Sequence, residues 1–238
     1  MYQISKIKIL LGIIYAGIVA AVTFLFFYYD AFSYINYDFV KDYRQKIFQF
    51  RDENIFLVSV LFFIFCLVWT FILGFGSILT IIAGFIFNPL LGSVLLIVSW
   101  TAGGTLLYMF ANSFLKDLVI KFFKEKFQKL DEHFKSNDFA YLMFLRLVPG
   151  IPSQVGHLVP ILFNMSVRKF FMATLIGGAP ATFIVVNLLF GIFSKMEQGN
   201  IISLDVLSDP QVSIPLALLG VLVLITSFMK KYFFKTKE

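Results

Sequence analysis

The chain has 238 residues, of which 59% are apolar, 18% aromatic (32 Phe) and 14% charged, with a mean hydropathy of +0.87. A soluble domain carries about 25% charged residues, so this chain lacks the polar surface to face water. A soluble enzyme, a disordered chain and a disulfide-stapled chain are excluded. Cys66 is the single cysteine, so there is no intramolecular disulfide and no zinc site built on paired thiolates, and its apolar surroundings make it a packing residue. The net charge of +6 fits a membrane protein whose cytoplasmic loops collect Lys and Arg. The cations sit at the ends of apolar runs and in one central linker, so no nucleic-acid partner is expected. Composition predicts an all-α polytopic membrane protein.

The first apolar run, Ile9–Tyr29, holds 21 residues, about 31 Å of helix at ~1.5 Å per residue. Lys6 and Lys8 precede it and Phe26-Phe27-Tyr28-Tyr29 ends it as an aromatic belt, so it reads as a retained anchor and not a cleaved signal. Asp30 to Asn54 follows with four cations and five anions. Val40, Tyr43, Ile47 and Phe50 fall on one helical face there, which predicts a helix lying along the membrane interface. Residues 1–54 thus form an anchor with an interfacial segment.

Ile55 to Ala111 carries no charge and is broken only at Gly74-Phe75-Gly76-Ser77 and at Asn88-Pro89. The linker Asn112–Asp138 has six Lys and five acids. Leu115, Leu118, Phe122, Phe123, Leu130 and Phe134 recur on it at helical spacing, as on a solvated amphipathic linker or on a surface helix touching anionic headgroups. His133, in this charged stretch, reads as an exposed histidine. Next come Phe139–Phe163, a turn at Arg168-Lys169 and a span over Phe170–Ser194. A loop with Glu197, Asp205 and Asp209 leads to a last span, Val212–Met229, and the tail cations Lys230, Lys231, Lys235 and Lys237. The positive-inside rule places both termini, the linker and the Arg168 turn in the cytoplasm and the acidic loop outside. Residues 55–194 form the core and 195–238 a C-terminal helix with its basic tail.

Because the linker and the Arg168 turn share a side, Phe139–Phe163 must enter the membrane and return. Its arms, Phe139–Val148 and Ser153–Phe163, have ten and eleven residues, each about half of a ~30 Å hydrocarbon core. Pro149-Gly150-Ile151-Pro152 between them cannot continue a helix. The segment is predicted to be a re-entrant hairpin. A shift of 76 positions superposes Gly74-Phe75-Gly76-Ser77 on Gly150-Ile151-Pro152-Ser153, Phe87-Asn88 on Phe163-Asn164, and Thr101-Ala102-Gly103-Gly104 on Gly177-Gly178-Ala179-Pro180. The expected fold is therefore two inverted repeats, each a re-entrant hairpin plus a transmembrane helix, with flanking transmembrane helices. Ile55–Leu73 is longer than the matching arm. Ser77 and Ser153 are expected to cap half-helices near the midplane, whose free N–H groups and positive dipole ends favour an anion.

Arg146, in Phe144-Leu145-Arg146-Leu147-Val148-Pro149, is the charged residue set well inside an apolar segment. Its insertion costs ~2.5–3.5 kcal/mol, so it should be paired or face a cavity. It either ties down the carbonyls freed around Pro149–Pro152 or seeks phosphate. Gln154 and His157 lie three apart on one helical face, and His157 is either a proton relay or a hydrogen-bonded packing residue. Asn88 and Asn164 are expected to close the half-helices, while Gly84, Gly92, Gly103, Gly104, Gly177, Gly178 and Gly191 permit close helix packing. HExxH, P-loop and dinucleotide fingerprints are absent, so no cofactor, metal or enzymatic role is expected.

Arg146-Leu147-Val148-Pro149-Gly150-Ile151-Pro152 resembles the Arg-x-x-Pro-x-x-Pro stretch of the VTT-domain (SNARE-associated, DedA-like) membrane proteins. The first hairpin with Ala83-Gly84-Phe85-Ile86-Phe87 and Gly92, and Thr174-x-x-Gly177-x-x-Pro180 with Gly191, extend the resemblance over about Gly74–Gly191. His157 stands where the family usually has Asn, Asn88 where Gly is usual, and Asn112 near a common Arg. Acids of the DedA type are absent between Asn54 and Lys116, so the resemblance brings no hairpin carboxylate for proton coupling. It implies lipid handling: scrambling or flipping of phospholipids or polyprenyl phosphates, with membrane lipids bearing anionic headgroups as partners. Arg146, Ser153, Gln154, His157 and Ser77 are the expected headgroup path. Gly74, Gly76, Gly84, Pro149, Gly150, Pro152, Gly177 and Pro180 shape the hairpins and the span that follows. Alternatives are a secondary transporter of a small soluble anion and a non-transporting envelope-organising protein. A bacterial inner membrane is the default location.

Overall fold

A computed structural model describes residues 6–28, 46–72, 75–127, 137–148, 153–197 and 204–233. Among these residues every regular element is a helix. α1 spans Lys6–Tyr28, α2 residues 46–53, α3 Ile55–Ile72, α4 Ser77–Ile86 and α5 Pro89–Phe110. A π-helical turn, Ala111–Leu115, joins α5 to α6, Lys116–Phe127. α7 covers Asp138–Leu147, and α8, Ser153–Leu158, continues as a 3-10 turn over Val159–Phe163. α9 runs Val167–Glu197, and a 3-10 turn at Leu204–Ser208 leads into α10, Pro210–Phe233. Gly74, Pro149, Gly150 and Pro152 lie outside the described residues, as do Val40, Tyr43 and His133.

Four helical stretches are long and apolar enough to cross a membrane: Ile55–Ile72, Pro89–Lys121, Val167–Lys195 and Pro210–Met229. The chain is a helical membrane protein. Large apolar side chains crowd the outer faces of α3 and α10, where Phe56 is 81% and Phe228 77% exposed. Lipid tails solvate such a surface and water does not.

The helices stop where glycine, proline and asparagine punctuate the sequence, but two local expectations change. Ser77 does not cap α4. Gly76 holds the N-cap place with helix-region angles (φ −99°, ψ −24°) and no side-chain cap bond, and Ser77 is the first helical residue. The Gly76 carbonyl already accepts from the Thr80 N–H at 3.0 Å and the Thr80 hydroxyl at 2.9 Å, so the turn is closed one residue earlier. Asn88 does not close α4 either; it caps α5, its side chain accepting from the Leu91 N–H at 3.0 Å, with Pro89 just inside the helix. Pro89 fits there because its missing N–H would have had no partner. Asn164 does end its segment, in the left-handed region (φ 53°, ψ 39°) that Asn tolerates better than most residues. The charged linker, read at helical spacing, is helical as far as it is described and continues directly from α5. Lys, Asp and Glu are compatible with helix, and the chain stays helical through the π turn to Phe127.

Two clusters of buried side chains hold the bundle. One gathers Phe62, Cys66, Leu79, Ala83, Phe87, Leu96 and Val186 around the α3–α4 break. The other gathers Tyr108, Val119, Tyr141, Leu142, Val159, Ile161 and Phe170 around the α7–α8 break. Each draws on α5 or its continuation and on α9, which also pack on each other. The packing is crosswise as well: α4 lies against α9, and α8 against α5. Glycines set the closest approaches. A Cβ at Gly103 would lie 2.5 Å from the Leu67 carbonyl oxygen, and one at Gly177 would lie 2.5 Å from the Met143 carbonyl oxygen. Gly84 admits α9 in the same way, with Leu189 Cβ 2.7 Å from its would-be Cβ.

Candidate functional site: an arginine between two helix breaks

Arg146 sits in the last turn of α7, and its guanidinium turns into the bundle. One terminal nitrogen lies 3.1 Å from the Gly156 carbonyl, 3.0 Å from His157 Nδ1 and 3.4 Å from Thr174 Oγ1. That nitrogen carries only two hydrogens, so the first two contacts are its real bonds and Thr174 is marginal. Glycine at 156 makes the approach possible, because a Cβ there would stand 2.6 Å from the other terminal nitrogen. The guanidinium carbon also lies 4.9 Å from the Trp100 ring centroid and 5.7 Å from that of Phe170. Among the described residues no carboxylate pairs with Arg146. Hydrogen bonds from a charged donor are worth ~1.5–3 kcal/mol each and a cation–π contact ~0.5–2 kcal/mol. Together they offset an insertion cost of ~2.5–3.5 kcal/mol, so the cation is held by neutral groups.

His157 is fully buried. Its ring stands edge-on to Trp100 at 5.4 Å and lies 6.1 Å from Phe170. Against α5 it rests on Gly104, where a Cβ would come 2.3 Å from Cε1. Arginine has donors only, so Nδ1 must accept, and the imidazole proton is assigned to Nε2 on that ground.

Of the residues expected at the site, the structure brings Arg146 and His157 into contact. Ser153 opens α8 and Gln154 follows it, both half-buried, while Ser77 is exposed at the start of α4. Gly76 joins the first break to the cluster through a residue that sequence reading missed. Trp100 Nε1 is 3.5 Å from the place of a Gly76 Cβ, and Trp100 Cζ3 is 3.1 Å from that of Gly178 on α9. Gly177 meets α7 and Pro180 lies inside α9. One signal pointed to Trp100: it precedes Gly104 by four residues and shares its helix face. Among the described residues no three His, Cys, Asp or Glu side chains gather as a metal site would require.

A second feature flanks the first break. An apolar groove of about 490 Å³ runs between α2, α3 and α4, with Phe50, Phe62 and Ile86 in its walls and Lys46 and Arg51 at its rim.

The VTT domain profile matches residues 71–190, just over half of the chain and all of the arginine cluster. Among the relatives, Transmembrane protein 41 homolog of Dictyostelium discoideum is 29% identical over 159 residues, 64% of this chain and 47% of that protein. Transmembrane protein 41B of Danio rerio is 26% identical over 133 residues, 54% of this chain and 47% of that protein. Transmembrane protein 41B of Homo sapiens is 24% identical over 160 residues, 64% of this chain and 55% of that protein. The chain thus spans about half the length of the relatives it matches. No solved structure matches it. With the Arg146 stretch, the two breaks and the Thr174–Gly177–Pro180 face all inside the matched region, the chain belongs to the VTT-domain family of membrane proteins.

Proposed function

We propose that the chain is a lipid translocator, a scramblase or flippase, in which an anionic headgroup crosses between two re-entrant hairpins while its tails stay in lipid. The observation that carries this reading is Arg146: a half-buried cation with neutral partners only among the described residues, placed where both helix breaks meet through Trp100. A positive charge kept in an apolar bundle at the cost of desolvation marks a path for a negative one. In this reading α3–α4 and α7–α8 are the hairpins, and their broken backbone lines a polar groove, the setting in which such backbone is tolerated at membrane depth.

Inverted repetition is part of the proposal and has three supports. α4 and α8 open 76 residues apart, at Ser77 and Ser153. The crosswise contacts α4 with α9 and α8 with α5 exchange under that shift. Two close glycine–carbonyl contacts also lie at nearly that spacing: Gly103 against Leu67 and Gly177 against Met143, the carbonyls 76 residues apart and the glycines 74. The apolar groove beside the first hairpin falls in the ~300–1,000 Å³ range of ligand sites and suits a lipid tail. A bacterial plasma membrane with both termini cytoplasmic belongs to the same proposal.

The test is leaflet exchange in proteoliposomes, with fluorescent phospholipids and a membrane-impermeant quencher, without an ion gradient. Wild type should lose inner-leaflet fluorescence quickly and Arg146→Ala slowly. Wild type indistinguishable from empty liposomes would refute passive scrambling of those lipids, and equal rates in both proteins would remove Arg146 from the path.

A further inference from the structure

We infer that α1 and α2 form a clamp on the α3–α4 pair, with Tyr15 holding the carbonyl end of α3 and Arg51 the carbonyl end of α4, and that both are positioning residues for the path between the breaks. Their share in translocation rests on the reading above, whereas the contacts themselves do not.

A helix leaves its last four carbonyls without an intrahelical partner, and in the hydrocarbon region no water answers them. The segment Ile55–Ala111, which holds α3, α4 and α5, carries no charged side chain. It therefore has no cationic donor of its own for such ends. The second break differs, because Arg146 of α7 donates across it to the Gly156 carbonyl of α8 at 3.1 Å. Seventy-six positions before Arg146 stands Thr70, whose buried hydroxyl has no hydrogen-bond partner and ties nothing. The donors for α3 and α4 come instead from residues 1–54, outside the stretch 71–190 that matches the VTT domain.

Tyr15 lies near the middle of α1, and its hydroxyl oxygen is 2.8 Å from the Ile72 carbonyl oxygen and 3.0 Å from that of Phe71. One hydroxyl proton is shared between the two acceptors. The ring is seated on Phe71 at 6.2 Å and on Phe110 of α5 at 5.3 Å. Arg51 closes the other arm. Its guanidinium donates at 2.8 Å to the carbonyl of Ile86, the last residue of α4, where a cation meets the negative end of the helix. Asp52 orients the same group at 2.7 Å, and the Phe48 ring lies 4.5 Å from it. Phe48 packs on Phe85 of α4, and Phe85 on Phe193 of α9. Tyr15 thus couples α1 to α3 and α5, and Arg51 with Phe48 couples α2 to α4. Gly76, at the head of α4, abuts Trp100, and Trp100 stacks against Arg146. A displacement of either arm therefore reaches the arginine through these two residues, which a mere membrane anchor would not influence.

The chain has two tryptophans, Trp69 and Trp100, so 5-fluorotryptophan incorporation gives two fluorine resonances in the full-length protein in detergent, and Trp69→Phe assigns them. Tyr15→Phe keeps the ring and removes the O–H, and Arg51→Gln removes the charge. Trp69, two residues before Phe71, should shift in Tyr15→Phe and not in Arg51→Gln. Trp100, beside Gly76, should shift in both. Arg51→Lys keeps a charged donor and should leave Trp100 closer to its wild-type position than Arg51→Gln does. In proteoliposomes, leaflet exchange should slow about fivefold in Tyr15→Phe, the loss of one neutral hydrogen bond, and further in Arg51→Gln.

A Trp100 resonance at its wild-type position in both variants overturns the clamp. Leaflet exchange at the wild-type rate in both overturns the positioning role. Trp100 shifts in both variants of a protein that exchanges no lipid would refute translocation and uphold the clamp, so the two readings fail separately.

Discussion

Gly104→Ala sets two opposing effects against each other. The new methyl would lie 2.3 Å from His157 Cε1 and 2.7 Å from Nδ1, both well inside the ~3.5 Å contact distance and the first by more than an ångström. The ring cannot step aside, being fully buried between Trp100 and Phe170 and bonded to Arg146 at 3.0 Å. Overpacking of this kind costs ~1–3 kcal/mol, and breaking the Arg146 bond adds ~1.5–3 kcal/mol. Against this, Ala in a helix interior is favoured over Gly by ~1 kcal/mol. The net expectation is a loss of about 1.5–5 kcal/mol from these contributions, read as a clear fall in the thermal unfolding midpoint of the detergent-solubilised protein. In a His157→Ala background the clash is gone, and Gly104→Ala should become neutral or stabilising by up to ~1 kcal/mol. Equal effects of Gly104→Ala in both backgrounds would refute the contact as the reason for glycine here.

Three further outcomes follow from the same geometry. Gly177→Ala should destabilise by ~1–3 kcal/mol, since its Cβ would meet the Met143 carbonyl oxygen at 2.5 Å, whereas Gly220→Ala, with nothing within 4 Å, should be neutral or mildly stabilising; parallel unfolding scans decide it. Asn164→Gly should retain the fold while Asn164→Val loses ~1–3 kcal/mol, because Asn164 occupies positive φ (53°) where a β-branched residue is strained. Lys195 at 2.6 Å and the Gln211 N–H hold the Asp209 carboxyl below the usual carboxylate range. A carboxyl depressed by folding stabilises above its unfolded pKa, and that stabilisation is lost as pH falls through the folded value. Unfolding scans from pH 6 to pH 3 should therefore show a steeper acid loss for wild type than for Asp209→Asn.

The breaks at Gly76 and Asn88-Pro89 were legible because proline and glycine act through local sterics, which sequence carries directly. Helix existence followed from apolar length for the same reason. The cap at Gly76 was less legible: Gly-Phe-Gly-Ser offers several stopping points, and the backbone angles that choose between them depend on packing. Arg146 announced itself as a charge in an apolar run, but its contact with His157 spans a break and eleven positions, a separation no helical period predicts. Trp100 stayed hidden because a tryptophan in an apolar run reads as core. Its meaning lies in its contacts with Arg146, His157 and Gly76, a tertiary fact. The small residues Gly104 and Gly156 were read as general helix-packing positions or passed over, although each marks the place of one side chain of the cluster.

The π-helical turn at Ala111–Leu115 acts as a register device. A π turn holds one residue more than the α-helix it interrupts, and one residue is ~100° of rotation about the axis. Downstream of it, Val119 faces the 3-10 turn of the second break and is 5% exposed, while its neighbour Leu118 is 47% exposed. Removing a single residue between 111 and 115 would leave both flanks helical and the rod barely shorter. It would nevertheless turn the buried stripe of α6 by about a quarter of a circle, by that ~100° step, and carry Lys116 away from the Asn164 side chain it now donates to. The bundle would keep its helices and lose their phase, and a deletion scan would find this segment far less forgiving than its five residues suggest.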